Sequence, residues 1–489
     1  MIFQQTIKHR KMKNNKKIKY AGLSFILLCF IGCKAPSVME KTENKTVPQV
    51  YADASQDTVN TAKIQWKNYF TDENLKNLIG IALKNNQELN ITLQEIEIAR
   101  SEVRARKGEY LPFLGFNAGA SLDKSGRYTS TGSGEATTEI MPGKETPDPL
   151  PNYGFGLSAS WEIDIWNKLH NAQKAALNRY LSSVEGRNFV ITNLIAEIAN
   201  SYYELLALDN QLAIVKQNID IQSNALKVVK IQKEAARVNE LAVRRFEAQI
   251  LNTQSLQFDI QQEIYQTENK INFLLGRFPQ SIVRNDDVFN TIIPPLIHAG
   301  VPSQLLENRP DIKKAEMDLM AAKLDIKVAK AKFYPSVGIS AGIGYEAFNT
   351  KYLLTSPESL FYSLAGDLVA PLINRNAIKA SYISANAKQI QAVYNYEKTL
   401  INAYIEVANQ LSKIKNTAQS YDLKSKQVQA LNESIQISNN LFSSARADYM
   451  EVLLTQKDAL ESKFELIETK KQQLNAFVTI YKALGGGWN

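Results

Sequence analysis

The chain has 489 residues, of which 22% are charged, and a formal net charge of +8. This length exceeds a single ordinary core, so we expect two domains or one large elongated unit. The first 33 residues contain seven basic residues and no acid, which leaves a charge of +1 on the rest, so the composition gives no support to nucleic-acid binding.

The first residues have the parts of an export signal. A basic start leads into an apolar stretch near Ala21–Ile31, and at about a dozen residues this is shorter than the roughly 20 needed by a spanning helix. The stretch ends in Phe30-Ile31-Gly32-Cys33, which is similar to a bacterial lipobox. Residues 1–32 are therefore predicted to be a lipoprotein signal peptide, with a covalent lipid on Cys33. The alternative is an ordinary signal peptide with an incidental cysteine.

Polar sequence and then helices follow the predicted lipid anchor. Residues 33–60 are polar and without periodicity, so they are predicted to be a lipidated tether. Apolar residues then recur at helical spacing from Trp66 to Leu83, with Thr71 as the candidate N-cap. A second helix is predicted from about Leu89 to Lys107.

Two of the predicted helices run into a proline and continue as a strand. The prolines are Pro112 and Pro335, and each is predicted to be a helix–strand junction because proline clashes with the preceding helical turn. Residues 123–151, rich in Gly, Pro, Ser and Thr, are predicted to form a long exposed loop. Four strands are predicted: Leu111–Leu122, Tyr153–Ile165, Pro335–Phe348 and Leu360–Leu372.

The four predicted strands share one design. Apolar and aromatic residues alternate with glycine, serine and occasional carboxylates, and a length of about 10 to 13 residues is enough to cross a bilayer at a tilt. Lipid permits strands only in a closed barrel, and single-chain barrels begin at about eight strands. If these strands lie in lipid, several chains must share one barrel. A half-buried soluble sheet would also alternate and is the alternative for any single strand.

Long helices and an internal repeat occupy the rest of the chain. Residues 166–275 contain no proline and one glycine, and residues 375–484 contain neither; a helix from Asn167 to about Ala235 would be roughly 100 Å long. The segments Glu197–Asn200 and Glu406–Asn409 match at a separation of 209 residues, and so do Ala236 and Ala445. Each half of the chain is therefore predicted to carry the same helical hairpin. A plain coiled coil is the alternative explanation for the helices alone.

Several motifs in this order resemble the outer-membrane factor, or TolC-like, family and its OprM/NodT-type lipoprotein branch. The resemblance extends from Trp66 to the C-terminus. The motifs are Trp161-Glu162-Ile163-Asp164-Ile165-Trp166, Leu274-Leu275-Gly276-Arg277-Phe278-Pro279, Val301-Pro302-Ser303-Gln304-Leu305-Leu306-Glu307-Asn308-Arg309-Pro310-Asp311-Ile312, Ala315-Glu316, Ala321-Ala322 and Leu484-Gly485-Gly486-Gly487-Trp488.

The resemblance implies a mainly α fold with a transmembrane β-barrel. It implies two outer-membrane-efflux repeats, here 61–290 and 291–489, with four strands and long antiparallel coiled-coil helices in each chain. A homotrimer would close a 12-stranded barrel in the bacterial outer membrane and an α-helical tunnel in the periplasm. The implied partners are outer-membrane lipid, a periplasmic adaptor (membrane fusion) protein and an inner-membrane pump of the resistance-nodulation-division (RND) type.

The turns of the two hairpins are the candidate periplasmic tip and gate. The family commonly has an aspartate that rings the closed aperture where this chain has Leu454, so an acidic ring there is in doubt. Asp448 or Glu451 could supply a ring instead, and the alternative is that these charges are merely solvated. The candidate residues are Arg237, Asn239, Glu240, Arg446, Asp448, Tyr449, Glu451, Leu454 and Lys457.

The sequence offers little chemistry for an enzyme. His170 and His298 lie far apart without acidic or cysteine neighbours at ligand spacing, and no phosphate-binding loop is present. We therefore expect no catalytic residue, no metal and no cofactor other than the lipid on Cys33. Two alternatives to the efflux duct stay open: the outer-membrane component of an ABC-type or type I export system, and a periplasmic coiled-coil scaffold lipoprotein.

Overall fold

The computed structural model describes residues 35–39, 41–51, 59–294, 296–444 and 446–488. The predicted signal peptide, Cys33 and Ala445 lie outside these ranges, and so does part of the predicted tether. The chain divides into two compact units. We call the first the strand unit; it comprises residues 98–180, 317–393 and the described residues up to 42. The second, the helix unit, comprises the described residues of the ranges 43–97, 181–316 and 394–488.

The first half of the chain contains two of the four long strands and the first long hairpin. Its elements are the 3-10 turn Thr61–Lys63, α1 (Trp66–Tyr69), α2 (Glu73–Asn85), α3 (Gln87–Glu109), β1 (Phe113–Asp123), α4 (Ser130–Glu135), β2 (Glu139–Met141), β3 (Lys144–Glu145), β4 (Leu150–Ile163), α5 (Lys168–Glu234) and α6 (Glu240–Leu274).

The second half repeats this order with only a 3-10 turn between its strands. Its elements are the 3-10 turns Asp286–Thr291 and Pro302–Gln304, α7 (Leu305–Asn308), α8 (Pro310–Ala331), β5 (Ser336–Ala347), the 3-10 turn Thr350–Tyr352, β6 (Leu360–Val369), α9 (Asn376–Ser443) and α10 (Tyr449–Ala483). The four predicted strands and both long hairpins are confirmed. We call α5–α6 hairpin one and α9–α10 hairpin two.

Two local predictions are wrong. Asp72, and not Thr71, caps α2, because its carboxylate accepts the backbone N–H groups of Asn74 and Leu75. The predicted exposed loop 123–151 contains α4 and the small β2–β3 sheet. Thr129 begins α4 by accepting the N–H of Gly132, and Gly143, with φ of 78°, allows the tight turn between β2 and β3.

The four long strands form one antiparallel sheet in the order β1-β4-β5-β6. The register places apolar residues opposite apolar residues across all four strands. One such row consists of Phe116, Leu157, Ile343 and Tyr362. Since side chains alternate between the faces of a strand, this register collects most of the apolar residues on one face and the glycines and serines mainly on the other, where Phe113 and Phe361 are the exceptions.

The main core of the helix unit lies between α2, α5, α6 and α10. Leu75 and Ile79 pack there with Tyr202 of α5 and Tyr481 of α10. The Tyr202 hydroxyl donates to Asp72 at 2.8 Å, and burial is the main cause of the raised pKa of Tyr202. The same carboxylate that caps α2 therefore also fixes this helix to α5.

A buried cation joins the start of α8 to both helices of hairpin two. Arg309 donates to Asp311 at 2.6 Å, to Glu406 at 2.7 Å and to the carbonyl of Ala483 at 2.9 Å. Burial alone would lower the pKa of Arg309, but hydrogen bonding to Asp311 and the charges of Asp311 and Glu406 outweigh it and raise the pKa. Arg309 is therefore a permanently charged residue that links the start of α8 to α9 and to the end of α10.

Candidate functional site

The apolar face of the sheet is exposed to solvent in the single chain. Leu114 and Phe116 on β1 are 67% and 66% exposed, and Tyr362 and Leu364 on β6 are 82% and 80% exposed. Continuous apolar surface of this kind marks contact with a membrane or another protein. Among the described residues, no element pairs with the outer edge of β1 or of β6. The sheet therefore has two edges and one apolar face that the single chain leaves open.

The other face of the sheet is mostly small and polar, with the ring of Phe361 among its glycines. Asn117 donates to the hydroxyl of Ser158 at 2.8 Å across the β1–β4 pair. A Cβ on Gly344 would collide with the carbonyl oxygen of Phe155 and with the ring of Phe361, so a larger residue does not fit there. This face suits contact with water, as the inner face of a membrane barrel does.

Tryptophan side chains mark the end of the sheet next to the helices. The indole N–H of Trp161 donates to the carbonyl of Tyr110 at 3.0 Å, and that of Trp166 donates to the carbonyl of Pro335 at 2.7 Å. Pro112 lies just before β1, and Pro335 lies just before β5. Aromatic residues with a satisfied polar group are typical of the interface between a membrane and water.

His170 has an acidic partner that the sequence did not predict. The His170 ring nitrogen lies 2.7 Å from Asp164, whose carboxylate also accepts the backbone N–H groups of Leu169 and His170, and Tyr110 stacks on the ring. Asn167, with φ of 53°, turns the chain so that the start of α5 comes back to Asp164. The sequence did not predict this pair, because a separation of six residues carries no helical signal.

The end of hairpin one carries a chain of ion pairs. Glu240 pairs with Lys233 and with Arg244 (2.8 Å), and Glu247 pairs with Arg244 (3.0 Å) and with Lys230 (3.1 Å). The bond from Lys233 is the main cause of the lowered pKa of Glu240. All five side chains are at least partly exposed. We call these five residues the hairpin-one ion network.

A backbone hydrogen bond closes the turn of hairpin one. Ala236 adopts φ of 56°, and the N–H of Arg237 donates to the carbonyl of Gln232 at 2.9 Å. Asn239 then begins α6 by accepting the N–H of Ala242 at 3.2 Å. Of the candidate gate residues on this turn, Arg237 is exposed and Asn239 has a structural role as a cap.

The turn of hairpin two is closed by the same backbone hydrogen bond but lacks the side-chain cap of hairpin one. The backbone N–H of Arg446 donates to the carbonyl of Leu441 at 2.8 Å. Asp448 is the N-cap residue of α10, and its side chain makes no capping hydrogen bond. Tyr449 is partly buried. The remaining candidates on this turn, Glu451, Leu454 and Lys457, are exposed.

An apolar cluster joins the ends of the two hairpins, and we call it the tip cluster. Hairpin one contributes Val229, Ala242, Val243 and Phe246, and hairpin two contributes Val452. Three further residues of hairpin two pack against these at the edge: Phe442, Tyr449 and Leu453. The candidate gate residue Tyr449 is therefore part of the contact between the two hairpins.

The long helices expose faces whose counterparts in the repeat are buried. Leu251, Phe258 and Tyr265 on α6 are 66%, 68% and 56% exposed. The residues 209 positions later on α10, Leu460, Ile467 and Leu474, are 8%, 5% and 1% exposed.

The same relation holds between the other two long helices. Ile401 and Ile405 on α9 are 59% and 48% exposed, whereas their counterparts on α5, Thr192 and Ala196, are 3% and 6% exposed. Helix α10 packs on α5 within the chain, where Lys471 donates to Glu204 at 3.0 Å. The exposed faces of α6 and α9 thus correspond, through the repeat, to buried faces of α10 and α5. Within the described chain neither exposed face is covered.

Two further properties concern membranes and metals. Across residues 35–51 and 59–488, leaving aside the undescribed positions, none of the helices combines the length and apolar character that a membrane-crossing helix requires. Nor do the described residues contain a group of three or more His, Cys, Asp or Glu side chains placed to hold a metal ion.

The exposed two-faced sheet and the repeated helical hairpins define a TolC-like outer-membrane channel fold. The family model of the outer membrane efflux proteins matches residues 78–277 and 301–486, and the chain belongs to that family. It is an outer-membrane protein.

Relatives of known function cover most of the chain. A pyoverdine export outer membrane protein of Pseudomonas aeruginosa, OpmQ, is 27% identical over 425 residues, 87% of each chain. The cation efflux system protein CusC of Escherichia coli O6:H1 is 27% identical over 471 residues, 95% of this chain and 97% of that protein. The open state of the outer membrane channel MtrE of Neisseria gonorrhoeae superposes with a TM-score of 0.80 at 23% identity, covering 93% of this chain and 99% of that one.

Proposed function

We propose that the chain is the passive outer-membrane exit duct of a tripartite efflux system and works as a homotrimer. The observation that carries this proposal is the pair of uncovered faces on α6 and α9. Since α10 covers α5 within the chain, a second copy can cover α6 with its α9 and so repeat the same contact. A head-to-tail contact of this kind forms a closed ring when the rotation from one copy to the next completes a full turn.

The sheet supports the same assembly. Its open edges, β1 and β6, belong to one sheet of four strands, and a lipid-exposed edge would leave backbone groups without partners. Three copies joined edge to edge would give a 12-stranded barrel, with the apolar face towards lipid and the glycine-rich face towards water. The lipid on Cys33 would hold each copy to the outer membrane.

The duct needs partners that supply energy and substrate. We propose an RND-type pump in the inner membrane and a periplasmic adaptor protein that contacts the hairpin ends, including Arg237 and Arg446. The family consists of transport proteins, and a duct of this kind performs no catalysis. An ABC-type or type I export system is the second candidate for the pump. The cargo proposed here is toxic small compounds, by analogy with efflux relatives.

Planar-bilayer conductance of a Cys33→Ser protein tests the duct directly. Purified protein should insert from detergent and give small, discrete conductance steps. A preparation that is folded by circular dichroism and gives no conductance would exclude the duct and favour a periplasmic scaffold lipoprotein.

Replacing Tyr449 by alanine should raise the conductance several-fold. The ring packs in the tip cluster between the two hairpins, so its removal loosens the closed end of the duct. Asp448→Ala separates packing from charge, because Asp448 is exposed and makes no side-chain cap bond. A rise in Asp448→Ala as well would assign an acidic ring to Asp448, whereas an unchanged Tyr449→Ala conductance would remove this turn from the gate.

A further inference from the structure

A cleft of about 890 Å³ lies between the small β2–β3 sheet and one end of the main sheet. At this end β1 finishes at Asp123 and β4 begins at Leu150, whereas Pro335 lies at the other end. The lining residues all belong to the strand unit. Small-molecule sites in proteins commonly have volumes of about 300–1,000 Å³, so the size of this space suits a small organic molecule. We call it the β2–β3 cleft.

The walls of the β2–β3 cleft are mainly apolar and are held in place by the fold. Met141 of β2 and Phe361 of β6 are among the lining residues. The N–H of Glu346 donates to the carbonyl of Ser359 at 2.8 Å, and the hydroxyl of Ser359 donates to the carbonyl of Tyr352 at 2.7 Å. These bonds fix the connection between β5 and β6, which forms one wall. The cleft is therefore formed before any ligand binds.

The polar part of the lining carries negative charge. Its three carboxylates are those of Asp123, Glu346 and Glu358. Asn152 donates to Glu346, and the hydroxyl of Ser121 donates to Asp123 at 3.2 Å. Among the described residues, none of the three carboxylates pairs with a basic side chain, and no group of acidic, His or Cys side chains is placed to hold a metal ion. The cleft thus combines negative charge with apolar surface.

A positive charge already lies at an aromatic wall of the cleft. The ammonium group of Lys144, on β3, lies 5.1 Å from the centroid of the Phe348 ring. The ring of Tyr352 lies beside Phe348, with 5.5 Å between the centroids. The face of an aromatic ring attracts a cation, and organic ammonium ions are recognised by such rings. The chain itself therefore shows that a cation can be accommodated at this wall.

We propose that the β2–β3 cleft binds a small organic cation with an apolar body. The body packs between Met141 and Phe361, and the positive charge lies near the carboxylates of Glu346 and Glu358. A strongly hydrated inorganic ion would gain nothing from the apolar walls. The proposal does not depend on the trimer or on the duct, because one strand unit of one chain supplies every lining residue.

Fluorescence titration of ethidium, a planar organic cation, into the purified full-length protein in uncharged detergent tests the site. The wild type should bind ethidium saturably, above the signal of protein-free detergent. Glu346→Gln combined with Glu358→Gln should weaken this binding about fivefold, because each exposed charge pair contributes modestly. An absence of saturable binding by the wild type, or an unchanged dissociation constant in the double variant, would overturn the proposal.

Asp148→Asn is the matched control for the carboxylate variant. Asp148 lies in the same connection between β1 and β4, but it pairs with Lys124 at 3.6 Å and does not line the cleft. Its replacement should leave the dissociation constant unchanged. Equal weakening by Asp148→Asn would show that ethidium responds to the general surface charge, and it would exclude a site in the cleft.

Lys144→Gln changes the affinity in the opposite direction. Its ammonium group competes for the Phe348 ring and repels a bound cation, so its removal should strengthen ethidium binding about twofold to threefold. Weaker binding by this variant would contradict the proposal, since a purely structural effect of the substitution does not raise affinity.

Phenanthridine, the uncharged parent ring of ethidium, separates charge from apolar contact. It should displace ethidium only at much higher concentrations, and equal displacement would show that the cleft has no preference for cations. The titration needs no channel activity. A conducting protein that does not bind ethidium therefore contradicts the cleft alone, whereas a protein that binds ethidium without conducting contradicts the duct alone.

Discussion

Replacing Leu251 and Phe258 by aspartate is expected to convert the proposed trimer, solubilised in detergent, into monomers. Both side chains are exposed in the single chain, and their counterparts Leu460 and Ile467 are buried. Covering each large apolar side chain contributes about 1.5–3 kcal/mol, and the loss recurs at every contact between copies. Sedimentation or native mass measurement of the variant and the wild type in the same detergent checks the result.

Phe273 offers a matched control for this variant. It is 76% exposed on the same helix, but its counterpart in the second repeat is Lys482. The repeat thus uses a charged residue at this position, so Phe273→Lys should leave the trimer intact. A trimer that survives Leu251→Asp with Phe258→Asp, while the far-ultraviolet spectrum is unchanged, would show that α6 does not face another copy.

Replacing Arg309 by methionine should lower the free energy of unfolding by about 3 kcal/mol. The guanidinium is buried and bonds to Asp311, Glu406 and the carbonyl of Ala483. Removing one member of a buried ion pair costs about 3–5 kcal/mol, and we take the lower end because the Glu406 side chain is 49% exposed and can be hydrated. Denaturant unfolding followed by circular dichroism measures the change.

An exposed ion pair in the same unit supplies the comparison for Arg309. Lys424 lies 3.1 Å from Glu465, with side chains 29% and 48% exposed. Lys424→Met should therefore cost less than about 1 kcal/mol. Equal unfolding midpoints for Arg309→Met and Lys424→Met would contradict the structural role assigned to Arg309.

The long elements could be predicted from the sequence because each carries a strong periodic signal. Alternation over ten or more residues defined the four strands, and the absence of proline defined α5 and α9 within a few residues of their ends. Pro112 and Pro335 were sufficient to separate helix from strand, since proline removes a helical hydrogen bond. The constant separation of 209 residues was enough to indicate that the second hairpin repeats the first.

Local and tertiary features could not be predicted in the same way. Thr71 and Asp72 are both good N-cap residues, and only the fold shows that Asp72 also meets Tyr202. The Asp164–His170 pair depends on the left-handed turn at Asn167. The uncovered faces of α6 and α9 depend on which helices pack together in the fold, and the sequence pattern does not distinguish them from the buried faces of α10 and α5.

The number of chains in the purified particle tests the account most directly. Native mass measurement of the Cys33→Ser protein in detergent should give three copies, because the open sheet edges and the uncovered helix faces are satisfied only by neighbouring copies. A monomer that stays soluble without detergent would contradict the account, since its apolar strand face would then be in contact with water.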